Sequence, residues 1–392
     1  MQNKIPPLYL KGTRDLRIDF IRGFVMLMVI TIHMENYSLF TAIFYGRLGI
    51  ISSAEGFVIM SGIVVGIVYS KKCKKLGLWC ASQKLLKRAV QLYAVNVCVS
   101  LLIALITKLN LIDTYFVTHW INPVTQHATS TYHTLDGSLL ETLKTSFLLQ
   151  QGPHQIQVLG LYVFLLVLAP VALWLIYSGK SWLLLLISWV VYFINYFLQI
   201  RITGAGFEYA FPALTWQLLF YNCMVIGANL DTLQEQCSKH KSAYKIIVWS
   251  CLILWLGFIF FSLNRSSPVF WPGQTFSFID AETFQSIYFN WFYKDKLQIG
   301  RVVNNIVVYI VVFAILSRYW SGAKKYLGWL LIPIGQASLY VFIVHVFIIL
   351  LASNFVPHFS GEFWSNTLLQ SGVILLIWWM VKRGVLFSII IR

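Results

Sequence analysis

Charged side chains are scarce in this chain of 392 residues, of which 11% are charged and 58% are hydrophobic. A soluble protein of this length carries about a quarter charged residues, so the shortage excludes an ordinary soluble fold. The apolar residues form several runs that are long enough to cross a bilayer as helices. A β-barrel would show short alternating segments instead. We therefore expect an all-α polytopic membrane protein.

Several enzyme motifs are also missing. The sequence has no Walker loop, dinucleotide fingerprint, GxSxG elbow or HExxH pair. Its six cysteines show no metal-ligand spacing, so we expect free thiols and no bound metal. No small-residue cleavage site follows the first apolar run, so no cleavable signal peptide is expected. The net charge of +16 would suggest nucleic acid in a soluble protein. Here the basic residues flank apolar segments, which predicts membrane lipids as partners and no nucleic acid.

About ten transmembrane helices are predicted in a single domain over residues 1–392. Their approximate ranges are 18–44, 54–70, 88–109, 156–178, 182–201, 212–230, 245–263, 301–320, 327–352 and 366–388. Basic residues precede the first span and follow the second, sixth, eighth and tenth, which predicts that both termini are cytoplasmic. They include Lys4, Lys11, Lys72, Lys239, Lys324 and Arg392.

Two sizeable segments, 110–155 and 265–300, are predicted to lie on the outer side. The first is rich in Thr, Gln and His, and its histidines are His119, His127, His133 and His154. Their spacing fits no zinc motif, so we interpret this segment as a polar lid.

The first predicted span carries ionisable residues along one face. At about 100° per residue, Arg22 lies within about 20° of His33, and Asp19 lies about 40° from it. Glu35 points nearly the opposite way. An ionisable ring at membrane depth usually has a partner and a function, so the pattern is typical of a helix that lines a polar cavity. It also suits a structural histidine that is hydrogen-bonded across a helix interface.

Glu55, at the start of the second span, and His345, on the ninth, are predicted to share the outer half of the membrane with His33. A carboxylate beside a histidine raises its basicity and fixes its tautomer, so Glu55 and His33 predict a general base. His345 at a matching depth, with Ser338 on its face, strengthens the prediction of a polar cavity.

Basic residues also gather at the predicted cytoplasmic side. Lys84, Lys87 and Arg88 have the i, i+3, i+4 spacing that places them on one helix face, at the foot of the third span. Together with the basic residues of the N-terminal region they would suit phosphate groups. Ordinary positive-inside flanking explains the same pattern.

Two other groups have packing explanations. Gly62 and Gly66 form a small-xxx-small pair, which we interpret as a site of tight helix packing. Trp216, Gln217 and Asn222 lie on the sixth span, and buried amides there need partners. They either line the cavity or join helices.

Four segments of the chain resemble the signatures of OpgC-type membrane proteins. They are RDLRIDFIRGFVMLMVITIH at 14–33, AEGFVIMSG at 54–62, FPALTWQLLFY at 211–221 and IGQASLYVFIVH at 334–345. OpgC-type proteins belong to the transmembrane acyltransferase superfamily, near the acyltransferase-3 family and lysosomal heparan acetyltransferase. The resemblance runs from about residue 14 to residue 350.

This resemblance implies transfer of a short acyl group from cytoplasmic acyl-CoA, a co-substrate, to a hydroxyl of an envelope glycan outside the bacterial inner membrane. Acetyl and succinyl groups both fit. By position in the motifs, His33 is the catalytic base, Glu55 is the acidic residue and His345 ends the late motif. The residues that would meet the CoA phosphates are Arg14, Arg17, Arg22, Lys84, Lys87 and Arg88. The fourth span reads VLGLYVFLL, where OpgC relatives usually carry a proline before the Leu-Tyr pair, so the acceptor is expected to differ.

The expected substrate-lining residues are Asp19, Ser61, Trp216, Gln217 and Ser338. His33 is expected to act by direct deprotonation of the acceptor, with an acyl-histidine intermediate as the alternative. Ser61, Gln217 and His345 are candidates for stabilising the oxyanion. Two other functions compete with acyl transfer. One is a proton-coupled transporter or flippase of a glycan or small anion, and the other is a non-catalytic assembly partner.

Overall fold

The structure is a computed structural model that describes residues 14–121, 127–135, 137–265, 276–355, 362–388 and residue 390. Lys4, Lys11 and Arg392, which the sequence assigns to the cytoplasmic side, lie outside the described residues. The described chain forms sixteen α-helices and one small β-hairpin, so the predicted all-α class is confirmed.

The helices in the first half of the chain are α1 (Leu16–His33), α2 (Leu39–Phe44), α3 (Ser53–Leu76), α4 (Leu78–Lys108), α5 (Tyr115–Thr118), α6 (Leu139–Phe147), α7 (Gln157–Tyr177) and α8 (Ser181–Leu198). Those in the second half are α9 (Ala213–Ala228), α10 (Leu230–Lys239), α11 (Lys241–Leu263), α12 (Ala281–Trp291), α13 (Ile299–Arg318), α14 (Trp320–Gln336), α15 (Ser338–Ser353) and α16 (Phe363–Arg383).

Three smaller elements complete the fold. Strand β1 (His119–Ile121) pairs antiparallel with β2 (Ala128–Ser130). A 3-10 turn (His154–Ile156) leads directly into α7, and a second (Gly206–Tyr209) precedes α9.

Seven helices are long and apolar enough to cross a membrane: α3, α4, α7 with its 3-10 turn, α8, α11, α13 and α16. An eighth crossing is added if α14 and α15 form one bent span. The first and sixth predicted spans correspond to α1 and α9, which have 18 and 16 residues. Every predicted span thus matches helical structure, and a multi-pass fold is confirmed.

The first predicted span, 18–44, is wrong in its second half. Helix α1 ends at His33, and α2 begins only after Ser38, whose hydroxyl caps it by accepting a hydrogen bond from the Thr41 backbone N–H at 3.1 Å. Between them Glu35 has a φ of +50°, a left-handed conformation that a continuous helix of L-residues does not contain. His33 is therefore the last residue of its helix.

The ninth predicted span, 327–352, is also wrong as a single helix. Helices α14 and α15 meet at an angle of 89°. The break follows Pro333, which cannot donate a helical hydrogen bond and weakens the last turn of α14. The Trp329 carbonyl, which would have accepted that bond, accepts one from the Trp378 indole at 2.9 Å.

Helices α1 and α14 cross with their backbones in contact. A Cβ atom at Gly23 would overlap the backbone of Leu331, and one at Gly335 would overlap the backbone of Asp19. The glycines therefore allow the approach that holds the polar end of α1 against α14.

The same device joins α3 to α9, and the predicted packing role of Gly62 and Gly66 is confirmed. A Cβ at Gly62 would overlap the carbonyl oxygen of Phe220, and one at Gly66 would overlap that of Met224. Close backbone approach of this kind is the usual basis of helix association in membranes.

We expect Gly335→Ala to lower the free energy of unfolding by about 1–3 kcal/mol, because the added methyl group must displace the α1 backbone. Thermal unfolding of the protein in detergent measures the loss. Gly322→Ala is the matched control in the same helix, since no atom lies within 4 Å of its Cβ position. Equal unfolding temperatures for the two variants would contradict the expectation.

Candidate functional site

Helix α1 connects two polar regions of the bundle. Its first turn is capped by Asp15, whose carboxylate accepts a hydrogen bond from the Arg17 backbone N–H at 3.0 Å. Arg22 and His33 are separated by 11 residues, or about 16 Å of helix. We call the side of the bundle that contains His33 the histidine end, and the side that contains Arg22 the arginine end.

At the histidine end, His33 lies against His345 of α15, as their predicted depth implies. His33 Nδ1 is 2.9 Å from His345 Nε2, and the rings stack at a centroid distance of 5.2 Å. His345 is fully buried, and His33 is partly exposed. One nitrogen of such a pair donates and the other accepts. If both rings were imidazolium, both of the facing nitrogens would be donors. The contact therefore requires that at most one of the two rings is protonated on both nitrogens.

A third histidine, His154, joins this pair. Its ring lies edge-on to that of His33, with centroids 6.3 Å apart, and its Nε2 is 3.4 Å from Oε1 of Glu35. The sequence pattern did not link either residue to the histidine pair. Glu35 was placed opposite His33 because the helical phase was continued beyond His33, where α1 ends. The available signal for His154 was its position directly before the apolar run of the fourth span.

Glu55 is fully buried at the start of α3, and its contacts differ from the prediction. Oε1 accepts a hydrogen bond from Arg301 Nε of α13, and Oε2 accepts one from the Ser52 backbone N–H at 2.7 Å. Arg301 also donates to the Phe292 carbonyl at 3.1 Å. Both carboxylate oxygens are thus engaged away from His33, so the expectation that Glu55 orients His33 is corrected. The sequence signal for this partner was Arg301 itself, a charged residue at the first position of the eighth predicted span.

At the arginine end, Asp19 is buried and collects three polar partners. Arg14 donates two hydrogen bonds to it, at 2.6 and 2.8 Å, and Arg22 lies 3.5 Å from it. Gln336 of α14 donates a third hydrogen bond, at 3.4 Å. Arg22 also hydrogen-bonds the hydroxyl of Ser338 at the start of α15. Asp19 and Arg22 therefore lie together, as their helical phase predicts, and Ser338 lies with them.

Arg17 is separate from this group. It is buried and pairs with Asp15 at 2.6 Å, and it donates to the Ser317 hydroxyl at 2.9 Å. Its charge is satisfied inside the protein, so Arg17 is not placed to bind a phosphate group.

Tyr162 of α7 connects α3, α1 and α4. Its hydroxyl is influenced by Ser61 of α3 and by the charges of Arg22 and Arg88. The structure thus brings Arg88 towards Arg22, while Lys84 and Lys87 are exposed on α4. The predicted basic residues of two helices meet around one tyrosine.

Trp216 and Gln217 serve helix packing. Gln217 accepts a hydrogen bond from the Ser188 hydroxyl and donates one to the Ser188 carbonyl, both at 2.8 Å. Asn222 donates to the same hydroxyl at 3.1 Å. Trp216 is buried against Phe211. Of the two explanations left open by the sequence, these contacts favour joining of helices α8 and α9.

The fold and its two polar ends define a polytopic α-helical membrane protein with a histidine pair inside the bundle. In the described part of the chain, no group of three or more His, Cys, Asp or Glu residues is arranged to hold a metal ion. The profile of the OpgC protein family matches residues 14–385, nearly the whole chain, and the chain belongs to that family. This membership fits a membrane acyltransferase that modifies glycans. No curated protein matches the chain significantly.

Proposed function

We propose that this protein transfers a short acyl group, acetyl or succinyl, from cytoplasmic acyl-CoA to a hydroxyl of an envelope glycan outside the bacterial inner membrane. The observation that carries the proposal is that one helix, α1, holds both His33 of the histidine pair and Arg22 of the arginine end, about 16 Å apart. A thioester on a long flexible arm can have its phosphates at the arginine end while its carbonyl reaches the histidine end.

We assign binding of the acyl-CoA donor to the arginine end. Arg22 and Arg88 lie around Tyr162, and the side chain of Arg14 is 58% exposed, so it is accessible to a phosphate. Lys84 and Lys87 extend the positive charge along the exposed face of α4. Arginine offers bidentate geometry to phosphate groups.

We assign the acyl-transfer step to His33. If its Nδ1–H donates to His345 Nε2, then His33 Nε2 presents a lone pair to the acceptor hydroxyl. The hydroxyl proton passes to that nitrogen, the acceptor oxygen bonds to the thioester carbonyl carbon, and the carbon–sulfur bond breaks. The proton then moves from His33 to the departing thiolate. Of the candidates for stabilising the oxyanion, Gln217 is occupied by Ser188 and Ser61 lies with Tyr162 at the arginine end, so His345 is the candidate beside His33.

The acceptor would enter near a cavity of about 240 Å³ formed by the C-terminal end of α8 and the residues that precede α9 and α13. Its lining includes Arg201, Tyr209, Tyr293, Asp295 and Lys296. Aromatic faces beside charged and amide groups suit a polyhydroxylated ligand. Lys294, in the same segment, contributes positive charge that acts on His33.

Mass spectrometry of envelope glycans tests the proposal. Cells that produce the protein should show glycans heavier by one acyl type than cells without it, and isotope-labelled acyl-CoA should pass its label to glycan in proteoliposomes. Identical glycan masses, with no transfer of label, would reject acyl transfer.

One observation favours the alternative of a transporter. Broken helices whose ends meet polar residues are typical of transport proteins, and α14 and α15 break beside Asp19 and Arg22. Proton-coupled uptake of a glycan or anion by proteoliposomes that contain no acyl-CoA would select this function.

A further inference from the structure

Glu35 is a carboxylate in an unfavourable position. It is 8% exposed, and its backbone has a φ of +50°, which is uncommon for a residue other than glycine. Burial of a carboxylate is costly unless it has a partner of opposite charge. The structure places Nε2 of the His154 ring 3.4 Å from Oε1 of Glu35, so the imidazole faces the buried carboxylate.

His154 lies between Glu35 and the histidine pair. It begins the 3-10 turn that leads into α7, and its ring is edge-on to His33 on one side and to Phe116 of α5 on another, both at 6.3 Å. Neither ring nitrogen has a hydrogen bond among the described residues, so the ionic contact with Glu35 is the polar contact that orients it.

The charges that surround His33 determine what Glu35 can do. His345 of α15 and His154 face His33, and both of them, like Lys294 from the segment before α13, act against a positive charge on its ring. Arg22, on its own helix, is about 16 Å away. Glu55 is bonded to Arg301, which offsets its charge. Glu35 is therefore a carboxylate that the structure places directly beside this group of rings, 3.4 Å from His154.

We propose that Glu35, acting through His154, is the counter-ion that stabilises the positive charge formed on the His33–His345 pair during acyl transfer. Glu35 and His154 are positioning residues in this scheme, because they act through His33. The scheme rests on the proposed function and assigns to Glu35 the part that the sequence pattern gave to Glu55.

Glu35→Gln is the variant that tests the scheme, since it keeps the shape of the side chain and removes its charge. We expect kcat to fall by about 10- to 100-fold, the range found for outer partners of ligating histidines, with little change in KM for acyl-CoA. A negative charge favours the protonated imidazole, so its removal should move the acid limb of the kcat–pH profile to lower pH. Glu35→Asp should restore part of the rate. Glu141→Gln, which removes an exposed carboxylate on α6, should change neither quantity.

A measurement without substrate separates this proposal from the proposed function. In full-length protein labelled with ¹⁵N-histidine and held in nanodiscs, the resonances lost in His33→Ala identify the ring of His33. Their titration should move to lower pH in Glu35→Gln. If the titration of His33 and the kcat–pH profile are the same in the Glu35 variant as in the wild-type protein, the counter-ion role is overturned, even if the variant unfolds at a lower temperature. Glu35→Met, which also removes the carboxylate, serves if Glu35→Gln does not fold. If the titration moves but the wild-type protein transfers no acyl group, the proposed function fails and the counter-ion stands.

Discussion

His33→Ala is expected to reduce kcat/KM for acyl transfer by about 100- to 10,000-fold, the contribution typical of a general base. The ring of His33 is the partly exposed member of the pair, and its Nε2 is available to a hydroxyl while Nδ1 contacts His345. Binding of acyl-CoA should be unchanged, because the basic residues of the arginine end are about 16 Å away. Transfer of labelled acyl groups to glycan in proteoliposomes measures the rate, and isothermal titration measures donor binding.

His240→Ala is the matched control, since His240 is exposed in the junction between α10 and α11. Both variants should elute and unfold like the wild-type protein in detergent. Wild-type rates in a folded His33→Ala protein would remove His33 from the mechanism.

The same assay distinguishes a base from an acyl carrier. Mass spectrometry of protein quenched during turnover should show unmodified His33 if the acceptor attacks the thioester directly. An acyl group on His33, formed before acceptor is added, would establish the two-step route.

Arg301→Met is expected to lower the free energy of unfolding by about 3–5 kcal/mol, the cost of leaving a buried charge without its partner. Glu55 is fully buried, Arg301 is 3% exposed, and the pair joins α3 to α13 over a sequence separation of 246 residues. The Phe292 carbonyl would lose its donor as well. Denaturation of the purified protein in mixed detergent micelles measures the change.

Arg318→Met is the control, because Arg318 is exposed at the other end of the same helix. The double variant Glu55→Leu/Arg301→Met should recover much of the loss, since it removes both charges. If Arg301→Met unfolds at the same point as Arg318→Met, the ion pair contributes nothing to stability.

Helical phase and the direction of the spans predicted part of the site. They placed Asp19 and Arg22 on one face of α1, and His33 and His345 at one depth, and the structure brings each pair together. The depth of a side chain in the membrane depends on how many residues separate it from the end of its span, and this number can be read from the sequence.

The partners of the carboxylates could not be predicted in the same way. Glu55 has the depth of His33, but its neighbour depends on how α3 and α13 are rotated about their axes, which no spacing reveals. Glu35 was misplaced because a local break of the helix reverses the direction of a side chain. The first error concerns packing between segments that are distant in the chain, and the second concerns a local change of the backbone.

Two contacts tie α15 to α1: Arg22 binds Ser338 at the first residue of α15, and His33 binds His345 two turns further on. A phosphate that draws Arg22 away would release the beginning of α15, and with it the constraint on His345. Occupancy at one face of the membrane and alignment of the reacting imidazole near the other are therefore mechanically linked. A productive donor would therefore bind without breaking the Arg22–Ser338 contact, since that contact keeps His345 aligned with His33.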